Sequence, residues 1–219
     1  MSSAVCYNIV KFGYILPESE AIIMNGKSAD RRTHKTKKAL CNALAELLTE
    51  KELHKVTVQE ITDRADVNRV TFYNHYLDVY DLYEKIEENT LVELGLLMLR
   101  LEETSSEATF ANLINYISEY RTIFKMIFSP NTTGQLKNKM QQLIEGVLRQ
   151  IQIEKHGTSR EDKKLEYMSS YRSQGCLAVI SKWVLGNMEE PEEFIIQTIT
   201  ELDQNMENFL ETKKEDGKK

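Results

Sequence analysis

Residues 56–82, VTVQEITDRADVNRVTFYNHYLDVYDL, constrain this chain more than any other stretch. Their spacing predicts two short helices joined by a tight turn, then the start of a longer third. Thr57 and Glu60 form a Thr-x-x-Glu box, in which the hydroxyl meets the third helical amide and the carboxylate reaches back to the cap amide. Ile61 and Ala65 give that helix an inward face. Asp66 falls where the turn needs left-handed backbone, which aspartate tolerates better than most residues carrying a Cβ. Asn68 is positioned to cap the second helix, whose Phe72 and Tyr76 recur at i and i+4 as a buried stripe. The opposite face carries Arg69, Thr71, Tyr73, Asn74 and His75, hydrogen-bonding side chains with little acid among them. A short rigid helix supported from beneath by a small core, with donors outward, suits the major groove of DNA.

The segment closely resembles the DNA-binding head of the TetR family of bacterial transcriptional regulators (TetR/AcrR type). That family's pattern runs near T-x-x-x-I-A-x-x-A-G-V-S-x-G-T-x-Y-x-H-F. Thr57, Ile61, Ala65, Val67, Thr71, Tyr73 and His75 fall on matching positions, with Asn68 for the usual Ser and Tyr76 for the usual Phe. Asp66 and Val70 replace the two glycines, and Val79 stands where many relatives have a Lys that touches a phosphate. These changes are expected to tune DNA affinity downward without abolishing it. The resemblance implies an all-α fold, with a three-helix helix-turn-helix head followed by a helical-bundle regulatory and dimerisation domain. It implies a homodimer on an inverted-repeat operator in double-stranded DNA, acting as a repressor released by a small-molecule effector. A ligand-independent or protein-controlled regulator is the alternative within DNA binding. A helical interaction protein that has lost DNA binding is the alternative outside it.

A chain of 219 residues has room for one large or two modest domains. Only three prolines and nine glycines fit a mostly helical build. No apolar run nears the ~18 residues of a membrane span, so no membrane partner is expected. Cys6, Cys41 and Cys176 are odd in number and far apart, which suits a reducing cytoplasm. A net charge of −6 argues at first against nucleic acid. Its distribution argues otherwise: residues 27–80 hold ten Lys and Arg against eight Asp and Glu, and residues 81–219 seventeen against twenty-four. Lys27, Arg31, Arg32, Lys35, Lys37 and Lys38 crowd ahead of the first apolar helix face, and a basic arm on an acidic body is the footprint of a DNA reader. Charge alone fits a solvated tail equally well; the adjacent helix-turn-helix tips the balance.

Residues 1–29 do not match the rest and are expected to be a disordered extension, or a misassigned start ahead of Met24. They lack the basic start and cleavage site of a secretory signal. Residues 30–80 are expected to form the head, 81–211 the ligand-binding and dimerisation domain, and 212–219 a disordered tail. The first long helix is expected at about 33–50, with Leu40, Ala43, Leu44, Leu47 and Leu48 inward. Another, capped by Asp78 and running to about 101, turns Leu82, Ile86, Leu94, Leu97 and Leu101 inward and links head to body. Four further helices follow by period, one at about 161–185, and then Pro191 and two glutamates open a last helix carrying Phe194, Ile195, Ile199, Leu202, Met206 and Phe209. Two body stretches, YRTIFKMI from residue 120 and YRSQGCLAVISKWVLGNMEEPEEF from residue 171, are similar, more loosely, to the same family's regulatory domains.

Arg69 is the expected base reader, since a guanidinium grips guanine O6 and N7 with two donors; otherwise it pairs with Asp66 or lies along phosphate. Asn74 suits adenine or a phosphate equally. Thr71, Tyr73 and His75 are expected to hold phosphates and set register, as are Thr57 at its helix N-terminus, Asn68 and Lys35. By the resemblance, the last two helices form the dimer surface, with Gly175, Ala178, Ile199 and Met206 on it. Gly175 either lets two backbones approach or accommodates a neighbour in its own chain. A ligand pocket would draw on Tyr116, Tyr120, Phe124, Phe128, Met140, Tyr167 and Tyr171, residues whose spacing suits plain core as well. Nothing points to catalysis. His34, His54, His75 and His156 are scattered without ligand spacing, and no nucleophile elbow, phosphate loop or dinucleotide fingerprint occurs. No enzyme activity, metal or cofactor is expected.

Overall fold

Each apolar period of 3.6 residues in the described part of the chain corresponds to a helix. A computed structural model describes residues 28–99, 106–156, 159 and 162–216, and among these the order is all α. Helix α1 spans Ser28–Glu50 and a 3-10 turn follows at Leu53–Lys55. Next come α2 (Val58–Ala65), α3 (Arg69–Tyr73) and α4 (Val79–Leu99). The body holds α5 (Ser106–Glu119), α6 (Arg121–Phe128), α7 (Gln135–His156), α8 (Lys163–Leu185) and α9 (Glu192–Asp216). No described helix is long and apolar enough to cross a membrane.

Three boundaries differ from expectation. Helix α1 starts at Ser28, so Arg32, Lys35, Lys37 and Lys38 are exposed on a helix and do not form an arm ahead of it. No Gly or Pro interrupts 28–50, and Lys and Arg are good helix formers. Helix α9 continues to Asp216, through most of the stretch expected to be a disordered tail. Helix α8 starts later than expected, at Lys163, because Asp162 caps it through bonds from the Lys164 and Leu165 amides at 2.8 and 3.4 Å. Cys6, Met24, Lys27 and Leu101 lie outside the described residues.

In the head, Leu40, Leu44 and Leu48 of α1, Ile61 of α2 and Phe72 of α3 are all fully buried and share one core. Tyr76, Val79 and Leu82 seal the lower edge. Val79 is therefore a core residue and not an exposed gap in a phosphate-contacting row. As expected, Asp78 caps α4, its Oδ1 accepting from the Asp81 amide at 2.9 Å.

The body joins the head through one continuous core. Past the end of α6 at Phe128, the chain turns at Pro130 back onto the last turn of α1. There Ser129 Oγ and Asn131 Nδ2 both donate to the Leu48 carbonyl, at 3.0 and 3.1 Å, and Leu53 N donates to the Asn131 carbonyl at 3.3 Å. Leu48 is thus held by a segment more than eighty residues away. Helices α8 and α9 run antiparallel around a tight corner, where Asn187 and Met188 adopt φ values of 60° and 57°. Two bonds hold this left-handed pair: Lys125 Nζ to Asn187 Oδ1 at 2.8 Å, and Trp183 Nε1 to the Glu190 carbonyl at 2.9 Å. Farther along the same helix pair, Arg172 and Asp203 face each other, both buried. Nε meets Oδ1 at 2.9 Å and Nη2 meets Oδ2 at 2.8 Å.

Candidate nucleic-acid interface

The start of α2 is fixed as its sequence dictates. Thr57 is extended, its hydroxyl accepts from Glu60 N at 3.3 Å, and its amide donates to Glu60 Oε2 at 3.0 Å. The Thr57 hydroxyl also donates to Glu60 Oε2, at 2.9 Å, so the hydroxyl expected to meet a phosphate already serves Glu60. Lys51 bonds the same carboxylate. The Lys51 ammonium first, then the Thr57 hydroxyl and amide, hold the Glu60 carboxyl down at about 2. A lowered folded pKa means that this contribution to stability is complete above about 4.5, the ordinary value, and is lost as pH falls towards about 2. Glu60→Gln is accordingly expected to flatten the acid limb of the thermal midpoint against pH between those values. An acid limb identical to that of the unaltered chain would contradict this assignment.

Asp66 ends α2 with φ 53° and ψ 46°, the left-handed residue the turn requires. Asn68 then caps α3, its Oδ1 accepting from the Val70 amide at 2.8 Å. Phe72 is driven beneath α3, its ring centroid 5.7 Å from that of Tyr76. Burying Phe72 turns Val70, Tyr73 and Asn74 outward, with Arg69 exposed at the helix start and Thr71 and His75 half-buried at the flanks. Arg69 does not sit on Asp66. Its Nη1 lies 3.5 Å from Gln59 Oε1, over the neighbouring helix. Helices α2 and α3 therefore bring Thr57, Asn68, Arg69, Thr71, Tyr73, Asn74 and His75 into one small module, while Lys35 projects from α1.

The aromatic residues expected around a ligand divide into two groups. Tyr116 meets Tyr120 at a centroid distance of 4.9 Å and Phe124 edge-on at 5.7 Å, Phe124 lies 6.5 Å from Phe128, and Met140 is buried. Burial, together with a 2.7 Å bond from its hydroxyl to Glu93 Oε2, raises the Tyr116 phenol well above its ordinary pKa. Tyr167 and Tyr171 are not part of this cluster; they are 75% and 66% exposed. The inward face of α8 is taken by Leu165, Ser169, Arg172, Ser173, Leu177 and Ile180, which turns residues 167, 171, 175 and 178 to solvent. An open groove of about 430 Å³ lies elsewhere, between Ser118 and Arg121 and the corner at residues 188–193.

The dimer candidates divide in the same way. Gly175 and Ala178 are exposed, and a Cβ on Gly175 would meet nothing within 4 Å, so no neighbour in its own chain requires the glycine. Ile199 is 1% exposed and belongs to the chain's own core, and Met206 is half-buried. Among the described residues, the large apolar side chains that α9 presents outward are Phe194 and Leu202, both outside the expected dimer set. Their positions lie one residue out of phase with the buried Ile195, Ile199 and Asp203, an offset that the period of the whole helix could have revealed.

Comparison with known proteins agrees with this architecture. Residues 40–86 match the profile described as "Bacterial regulatory proteins, tetR family", and residues 104–205 that described as "Transcriptional regulator C-terminal region". The chain belongs to the TetR family of transcriptional regulators, with a DNA-binding helix-turn-helix head and a helical C-terminal domain. Among its relatives is an uncharacterised HTH-type transcriptional regulator of Bacillus subtilis (strain 168), YxbF, 32% identical over 69 residues, which are 31% of this chain and 18% of that one. DhaS of Lactococcus lactis subsp. lactis (strain IL1403), an HTH-type dhaKLM operon transcriptional activator, is 27% identical over 97 residues, 42% of this chain and 49% of that one. The matched stretches thus span about a fifth and about half of these two relatives. Two solved structures share the fold. A transcriptional regulator from Aquifex aeolicus VF5 superposes with a TM-score of 0.59 at 19% identity, over 78% of this chain and 99% of that one. The dihydroxyacetone kinase operon activator DhaS superposes with 0.52 at 20% identity, over 76% and 93%.

Proposed function

We propose that the chain acts in the cytoplasm as a homodimeric repressor, bound to an inverted-repeat operator and released by a small-molecule effector. One observation carries the DNA-reading part: α3 buries Phe72 and turns outward a face of Arg69, Tyr73 and Asn74 with no carboxylate on it. Arg69 reads a base and Asn74 a base or a phosphate. Thr71, Tyr73, His75, Asn68, Thr57 and Lys35 hold the backbone on either side, with Thr57 sharing its hydroxyl between Glu60 and a phosphate. In this reading, residues 30–80 form the head and 81–211 the regulatory and dimerisation domain, with α4 as the lever between them.

The outward stripe of Tyr167, Tyr171, Gly175 and Ala178 on α8, with Phe194 and Leu202 on α9, supports a two-fold contact between copies. Such a dimer would set two α3 helices about one DNA turn apart, ~34 Å, and so require an inverted repeat. Ala178→Glu is expected to leave the fold intact, because the position is exposed, yet to convert the dimer to monomer in sedimentation at micromolar concentration. A dimer of undiminished stability would remove this surface from the account. An effector among Tyr116, Tyr120, Phe124, Phe128 and Met140 would act by binding two head spacings with different affinity, since equal affinity shifts nothing. The likeness to DhaS, an activator by its name, supports activation as the second reading. Transcription from an operator-bearing promoter with and without the chain separates the two.

Arg69→Ala tests the core of the proposal. It is expected to weaken binding to the operator by about 1–3 kcal/mol and to relax choice at one base step, with random duplex affected far less. Equal losses on operator and random duplex would remove Arg69 from base reading.

A further inference from the structure

We infer that Val70 reads the C5 methyl of a thymine in each half-site, an inference that rests on the DNA-binding reading of α3. Val70 is the second residue of α3 and is 68% exposed. It stands two positions before the fully buried Phe72, so at 3.6 residues per turn it points roughly 200° away from that ring. Tyr73 and Asn74, at i+3 and i+4, share its outward face and are exposed with it. Single exposed apolar residues are ordinary. Here Val70, Tyr73, Leu77 and Tyr80, all large and exposed, fall within one stretch of eleven residues at the reading end of the head.

The first turn of α3 is held firmly. Asn68 Oδ1 accepts from the Val70 amide at 2.8 Å, and the Asn68 carbonyl accepts from Thr71 N at 2.9 Å and from Phe72 N at 3.2 Å. A β-branched side chain in a helix has one strongly preferred χ1. Val70 therefore presents two methyl groups in a fixed direction, where the resembling family pattern has a bare glycine. Valine carries no donor or acceptor and cannot match the polar atoms of a base edge. Pressed against guanine, adenine or cytosine, it would strip water from polar atoms without replacing their bonds. The apolar group the major groove offers is the thymine methyl, and burying the two together removes both from water.

The test uses the full-length chain and a duplex recovered from a random pool by repeated rounds of binding to it. That duplex is remade with deoxyuridine for thymidine, one symmetry-related pair of positions at a time. The exchange preserves base pairing and removes only the methyl. One pair of positions is expected to respond, with binding about fifteenfold weaker, the product of about fourfold for one buried methyl in each half-site. Val70→Ala, checked for intact helix content by circular dichroism, is expected to bind the thymidine duplex as weakly as the unaltered chain binds the deoxyuridine one. It should also no longer distinguish the two. Deoxyuridine without effect at every position would overturn the inference while leaving DNA binding in place. So would a Val70→Ala chain that keeps full sensitivity at the responding position. Recovery of no duplex even in dilute salt would instead overturn the DNA-binding reading, and this inference with it.

Discussion

Phe72→Ala should remove about 3–5 kcal/mol from the stability of the head. The ring is fully buried in the same core as Leu40, Leu44 and Leu48 of α1, and it packs against Tyr76. Helix α3 is only five residues long and has no independent stability at that length. Its orientation rests on Phe72 beneath and on the Asn68 cap at its start. Against a typical total of about 5–15 kcal/mol, the loss is a large share of what holds the head together and raises its unfolded population by more than about a hundredfold. Urea unfolding followed by circular dichroism is expected to develop an early transition for the head, and duplex binding to fall by more than any change at the outward face produces. A Phe72→Ala chain within about 1 kcal/mol of the unaltered one would mean that α3 is positioned by something other than this ring.

Asp203→Ala is expected to have an effect of similar size, about 3–5 kcal/mol, by a different route. It removes the carboxylate that faces the buried Arg172 guanidinium through two bonds, at 2.9 and 2.8 Å. The charge then remains in the interior with its principal partner gone. Replacing both residues at once, Arg172→Met with Asp203→Leu, removes charge and partner together and is expected to restore stability to near or above that of the unaltered chain. Because the pair ties α8 to α9, the single variant should also weaken association between copies. Thermal unfolding of the single and double variants decides the matter. A double variant no better than the single one would show that the pair contributes shape rather than balanced charge.

The head was legible in the sequence because its determinants are local. The Thr57–Glu60 box, left-handed Asp66, the Asn68 cap and the Phe72–Tyr76 stripe each act across four residues or fewer, where spacing translates directly into contact. The α8–α9 pair was less legible. A one-residue error in phase turns a helix by about 100°, enough to move a side chain from core to surface; Ile199, expected on the dimer surface, is core, while Phe194 and Leu202 are surface. Tyr167 and Tyr171 were grouped with the other aromatics by residue type, although Arg172 and Ser173 take the inward face beside them. A buried arginine is hard to foresee, since the carboxylate that balances its charge lies thirty-one positions on. The hold of Ser129 and Asn131 on Leu48 joins residues too far apart for any periodicity to register.

The central claim is that two copies of this head read one duplex. Analytical ultracentrifugation of the full chain with the recovered duplex, repeated across a range of salt concentrations, measures both stoichiometry and electrostatic dependence. The account predicts two protomers on each duplex, with the logarithm of affinity falling against that of salt at a slope of about −5 to −9. One protomer per duplex, or an affinity indifferent to salt, would contradict it.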